Sequence, residues 1–261
     1  MRVVAKNILF LIAVLLLATA CATSNNVDAP LSENQKAAEI NTQLGARYLA
    51  QQEYKLADEK LRRAMKQNPQ YATAHWVFAL LQERIGENEI AEKHFRKAIS
   101  LDPKDSRAHN NYGTFLCNQD RPLEAEKEFM LAIEDPLYTE AAAAYANAGT
   151  CMLKVPDNAK AEEYFNKSLE RNASQRSALF QMGRLAFERQ EYEQASYYFQ
   201  KYESVAKHSS QSLWMAYQTE TNLGNPVKAE DYANQLKKSF PASQEARLLA
   251  ESYWNASKQQ Q

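Results

Sequence analysis

From residue 38 onward the chain repeats itself with a period of 34 residues, and no other feature limits its fold so strongly. Ala57, Leu61, Ala64 and Pro69 recur 34 positions later as Ala91, Phe95, Ala98 and Pro103. A second step of 34 reaches Ala125, Phe129 and Ala132, with Pro136 one residue early. A step of 36 leads to Ala161, Phe165 and Ser168. Further steps of 34 reach Ala195, Phe199 and Tyr202, then Ala229, Ala233 and Leu236 ahead of Pro241. An earlier position recurs as well: Leu44-Gly45, Phe78-Ala79, Tyr112-Gly113, Ala148-Gly149, Met182-Gly183 and Ala216-Tyr217. A generic helical bundle shares such apolar spacing but not a constant phase.

These positions match the tetratricopeptide pattern, a hairpin of helices A and B stacked on copies of itself. Gly or Ala at the eighth position and Ala at the twentieth are small because A and B approach closely there. The large apolar residue at the twenty-fourth fills the gap between repeats. Pro near the thirty-second lies beyond helix B, where it disturbs no helical hydrogen bond. The expected fold is all-α, a right-handed superhelical solenoid of six repeats over residues 37–242. The units fall at about 38–71, 72–105, 106–141, 142–175, 176–209 and 210–242. The sixth is degraded, with Tyr217 and Ala233 at positions of unusual size. Residues 243–257 are expected to cap the last repeat through Ala246, Leu249, Ala250 and Trp254, leaving 258–261 as a disordered tail.

Composition agrees and excludes alternatives. Only 6 Gly and 8 Pro argue against a sheet protein, whose turns consume them. A net charge of −1 offers no basic excess to neutralise phosphates, which speaks against nucleic acid as a partner. A mean hydropathy of −0.61 excludes a polytopic membrane protein.

Residues 1–20 have the layout of a secretory signal: Arg2 and Lys6, then an uncharged run from Ile8 to Ala20. That run is too short for a hydrocarbon core, which takes about 20 helical residues. Ala18-Thr19-Ala20-Cys21 resembles the lipobox of bacterial lipoproteins, although its −3 position is Ala18 and Leu17 sits one place earlier. The resemblance implies diacylglycerol and an N-acyl chain on Cys21; the alternative is an ordinary signal cut after Ala20. Several acyl chains hold a membrane far more firmly than one, at roughly 0.8 kcal/mol per buried CH₂. Ala22, rather than Asp, after the cysteine favours the outer membrane. Residues 21–36 are expected to form the lipidated start and a flexible tether.

A lipoprotein signal ahead of six repeats resembles the type IV pilus pilotin family, PilF/PilW. The resemblance spans nearly the whole chain and is sharpest from Ala108 to Glu170. Asn110-Asn111-Tyr112-Gly113-Thr114-Phe115-Leu116 opens the third repeat, and Asp135-Pro136-Leu137-Tyr138 fills the lengthened connection before the fourth. Ala161-Glu162-Glu163-Tyr164-Phe165-Asn166-Lys167-Ser168-Leu169-Glu170 forms the fourth helix B. The resemblance implies an outer-membrane lipoprotein that helps the pilus secretin reach that membrane and assemble into its ring. Other readings are a tethered adaptor for cell-wall or other envelope proteins, or an enzyme with an unfamiliar site.

Stacked A helices line the concave groove where such arrays hold extended peptides. Asn111 and Asn147 share the sixth position of adjacent repeats, and Gln181 continues the row; their amides can donate and accept at once. Asn110 and Thr114 occupy neighbouring groove positions, and Arg107 and Arg184 flank the row as partners for carboxylates. The same residues can equally serve as a solvated helix face. A complete carboxylate clamp is absent, because its positions hold Thr42, Ala46 and Val77. Trp76 and Trp214, at the fifth position of repeats two and six, are either groove hot spots or packing residues.

Cys117 and Cys151 lie on adjacent A helices and are expected to bridge or to remain two buried thiols, the first if their Cα atoms come within about 6.8 Å. His75 and His109 share the fourth position of successive repeats, but the sequence offers no carboxylate or third ligand beside them, and no metal site is expected. No nucleophile elbow, Walker loop, HExxH or paired-carboxylate motif occurs. The chain therefore reads as a non-enzymatic protein without cofactor or small-molecule substrate.

Overall fold

The computed structural model describes residues 31–155 and 158–259, and side chains as far as Tyr253. Thirteen helices and no strand occur among them. The first hairpin is α1 (Glu33–Ala50) with α2 (Tyr54–Gln67), and the second α3 (Ala72–Arg84) with α4 (Asn88–Leu101). The third joins α5 (Ser106–Asn118) to α6 (Pro122–Ala132), and the fourth α7 (Ala141–Met152) to α8 (Asn158–Arg171). The fifth is α9 (Arg176–Glu188) with α10 (Tyr192–Val205), the sixth α11 (Ser210–Asn222) with α12 (Pro226–Ser239). A last helix, α13 (Gln244–Gln259), follows.

Each described A–B turn is made the same way. The fifteenth residue of the unit takes the left-handed conformation: Gln52, Asp120 and Gln190 at φ of 62°, 57° and 63°, Gly86 and Gly224 at 86° and 71°. The next amide then bonds the carbonyl five residues back, as Glu53 to Tyr48 and Glu191 to Ala186 at 2.9 Å. This satisfies a carbonyl that the helix end would orphan. Pro122 and Pro226 open α6 and α12, where their missing N–H leaves nothing unpaired.

Inside each hairpin, smallness on one helix matches bulk on the other. A Cβ added to Gly149 would stand 2.7 Å from the Phe165 ring, and one at Gly113 2.9 Å from that of Phe129. Phe95, Phe129, Phe165 and Phe199 are in turn almost wholly buried, as are Ala57, Ala91, Ala125, Ala161 and Ala195. The sixth unit inverts the pattern: Ala233 is small and Tyr217 is large. Tyr217 turns toward α13, its hydroxyl 3.5 Å from that of Ser252, and buried Leu249 of α13 joins the same core.

Two expected edges move. The tether was expected to reach residue 36, yet α1 starts at Glu33. Ser32 accepts from the Gln35 amide while the Gln35 side chain accepts from Ser32, a capping box that nucleates the helix early. At the other end α13 runs to Gln259, through the first two residues of the segment 258–261 expected to be disordered. Residues 260 and 261 lie outside the described part.

The Cys117–Cys151 bridge joins α5 to α7 with Cα atoms 5.7 Å apart. It links repeats three and four across a separation of 34 residues.

Candidate peptide-binding groove

The A helices α1, α3, α5, α7, α9 and α11 each present a polar or aromatic row, and the rows are not equivalent. At repeats one and two a cleft of about 330 Å³ is lined by Ala46, Leu49, Val77, Leu80, Trp76 and Arg84, among others. Trp76 is half-buried, and its indole N–H donates to Asp105 Oδ2 at 3.0 Å. The other oxygen of Asp105 caps α5, accepting from the amides of Arg107 at 3.0 Å and Ala108 at 3.2 Å. Arg107 lies over the Trp76 ring at 5.8 Å from its centroid. Trp76 is thus both a packing residue and a wall of the cleft. Arg107 covers that ring and approaches Asp105 at 3.8 Å while its side chain stays largely exposed.

Asn111 and Asn147, which share the sixth position of adjacent repeats, take different partners. Asn147 donates to Asn110 Oδ1 at 3.2 Å. Asn111 instead bonds back to the Arg107 carbonyl at 2.8 Å. The turn of one repeat upon the next brings the sixth position of α7 beside the fifth of α5. Thr114 bonds back to the Asn110 carbonyl at 3.0 Å. The bridged cysteines lie on the same two helices, so this amide pair sits on the segment of the array that a covalent bond ties together.

Gln181 is engaged within its own helix. Its carbonyl oxygen accepts from Arg184 Nε at 2.8 Å, and Arg184 Nη1 pairs with Glu188 at 2.5 Å. The guanidinium is therefore used within α9. Trp214 is half-buried and stacks on Tyr217, centroids 5.4 Å apart at 25°.

Several residues escaped the sequence reading. Asp105 organises the cleft, and its place directly before α5 is an N-cap signal that could have found it. Glu128 lies 2.7 Å from His109 Nδ1, although no carboxylate was expected there, and His94 stands in the equivalent place beside His75. Leu137, which the sequence marked only as part of the lengthened connection, is 84% exposed. Cys21 lies outside the described residues. Among those residues no group of three or more His, Cys, Asp or Glu is placed to hold a metal ion.

Comparison with known proteins places this geometry in a family. Two models described as tetratricopeptide repeat match residues 72–105 and 94–127. The type IV pilus assembly protein PilF of Pseudomonas aeruginosa is 32% identical over 241 residues, covering 91% of this chain and 94% of that protein. The solved structure of Pseudomonas aeruginosa PilF superposes with a TM-score of 0.77 at 30% identity, over 85% of this chain and all of that one. That of PilW, described as a widely conserved type IV pilus biogenesis factor, gives 0.73 at 32% identity, over 82% and 98%. These relatives are described as proteins of type IV pilus assembly and biogenesis, and no enzymatic activity is named for them. The chain belongs to the PilF/PilW family of type IV pilus biogenesis proteins.

Proposed function

We propose that this protein is a pilotin-like outer-membrane lipoprotein, anchored through an acylated Cys21, which binds the type IV pilus secretin. It promotes the secretin's localisation to that membrane and its assembly into a multimer. The observation that carries this reading is likeness to PilF along 91% of the chain, with a fold that superposes on the whole of the solved PilF chain. The concave face supports it. An extended segment laid along the A helices meets an apolar cleft at Leu49, Trp76 and Leu80. Farther along it meets the Asn110–Asn147 amides, which pair with peptide groups.

Deleting the gene in its host tests the reading. The expected outcome is loss of surface pili and of the secretin multimer, with secretin monomer left behind. Normal multimers together with altered cell-wall turnover would instead identify an adaptor for cell-wall proteins. Cys21→Ala tests the anchor separately: the variant should leave the membrane fraction, and retention there would overturn the lipid assignment.

A further inference from the structure

His75 of α3 and His94 of α4 face each other, their Nδ1 atoms 3.1 Å apart and their rings stacked with centroids at 5.2 Å. His75 Nε2 lies 3.0 Å from the Pro69 carbonyl oxygen. A carbonyl only accepts, so that nitrogen carries the proton and His75 Nδ1 is the acceptor. His94 Nδ1 is then the donor, and the bond lasts only while His75 is neutral, because a proton on His75 Nδ1 removes the acceptor. The edge of His94 also meets Phe78 at 4.7 Å, and Arg62 of α2 lies 5.1 Å over the Phe78 ring. The pair itself bonds the two helices of the second hairpin, and the His75–Pro69 and Arg62–Phe78 contacts carry it across to the first repeat.

The next repeat carries the same framework with one change. His109 Nε2 is 3.1 Å from the Pro103 oxygen, and His109 Nδ1 is 2.7 Å from Glu128. Pro69 and Pro103, His75 and His109, and His94 and Glu128 are each 34 residues apart. One joint pairs imidazole with imidazole, the other imidazole with carboxylate.

The surroundings differ in the same sense. The charges acting on the first pair are positive: Lys97 on His75, and Lys93 and Arg62 on His94. Arg62 itself is paired with Asp58 at 2.7 Å, while Lys93 and Lys97 stand on α4. Burial holds His75 below its ordinary value. Burial first, then the charges of His75, Lys93 and Arg62, takes His94 down to about 4. His109 goes the other way: burial would lower it, but the Glu128 hydrogen bond, the Pro103 carbonyl and the charges of Glu128 and Asp105 together raise it.

We propose that the His75–His94 pair is an acid-sensitive joint that lets the first repeat open from the array at mildly acidic pH, while the His109–Glu128 joint holds the next repeat closed. A proton on His75 Nδ1 sets N–H against N–H, a proton on His94 Nε2 places charge in a buried site among cations, and opening to water relieves either. An end repeat has a single neighbour, so it can open without unfolding the others. The sign follows from linkage. The opened state takes up protons as pH falls below about 6.5, whereas the closed joint resists until about 4, so opening gains between those values. The His109 joint behaves oppositely, being strongest below its unfolded value.

Hydrogen exchange by mass spectrometry on the full chain, corrected for the intrinsic rate at each pH, tests this. The opening equilibrium of residues 33–67 should rise roughly twentyfold between about pH 7 and pH 5, while that of residues 106–132 does not rise. His94→Glu, which copies the next repeat's pair, should abolish the rise. An opening that ignores pH, or a rise that survives His94→Glu, would overturn the proposal. Should that variant fold poorly, NMR titration of the native imidazoles decides. His94 titrating near 4 supports the joint, and His94 titrating near 6.5 overturns it.

Discussion

The side-chain amide of Asn147 donates to Asn110 at 3.2 Å, a bond that crosses from the fourth repeat to the third between two helices already joined by a disulfide. It is half-buried and neutral, so it should contribute about 0.5–1.5 kcal/mol. Asn110→Ala and Asn147→Ala should each lose about that much, and the double variant little more than either alone. Denaturant unfolding of the four proteins checks this; additive losses would mean that the two amides act separately. If the groove holds the partner, both variants also retain less secretin in a pull-down from detergent-solubilised envelopes.

Cys117 and Cys151 close a loop with a sequence separation of 34. The chain-entropy account of such a cross-link gives about 3–4 kcal/mol of stability. A thiol reductant should lower the unfolding midpoint of the native chain by a corresponding amount. The Cys117→Ser, Cys151→Ser double variant should start from the lower midpoint and ignore the reductant.

Gly149 faces Phe165 so closely that a methyl group at Cα would meet the ring at 2.7 Å. Gly149→Ala should destabilise the fourth hairpin by about 1–3 kcal/mol, the usual cost of overfilling a tight core. Adding Phe165→Leu should recover part of that loss. Thermal unfolding of the single and double variants measures the coupling.

Gln52 and Gln190 hold left-handed backbone at φ of 62° and 63°, where Gly86 and Gly224 stand in other repeats. A side chain costs about 1–2 kcal/mol in that conformation, which exceeds the entropy glycine loses on folding. Gln190→Gly should therefore raise the unfolding midpoint, by about 0.5 kcal/mol of stability. Gln190→Ala should not raise it.

His109 in the folded chain holds its proton more tightly than an ordinary histidine, through Glu128 and the Pro103 carbonyl against the effect of burial. A raised folded value means that the pair's stabilisation is complete below about pH 6.5 and fades as pH rises through the folded value. Glu128→Gln should thus cost more stability at about pH 5.5 than at about pH 8.5. Urea unfolding at the two pH values gives the difference, and an equal cost would remove Glu128 as the cause.

What the sequence determined by itself is the content of one hairpin and the fact of its repetition. Gly149 against Phe165, buried Ala161 and the proline beyond helix B are contacts within a unit about 34 residues long. There the spacing of small and large residues dictates which faces meet. A capping box at Ser32 and Gln35 was equally legible, and the polarity of the preceding stretch obscured it. The likeness to a pilus family was legible too, because it resides in contiguous residues. Only the tertiary structure decided which side chains meet between units. How far each hairpin turns on the last follows from the packing of whole helix faces. That rotation put Asn147 beside Asn110 rather than Asn111, and Trp76 against Asp105 across 29 residues of chain. The bonds of Arg184 to Gln181 and Glu188 are of the other kind, three and four residues apart on α9, where helical spacing alone allows them. Periodicity assigns each residue a place in its own unit, whereas a groove is made of several units at once.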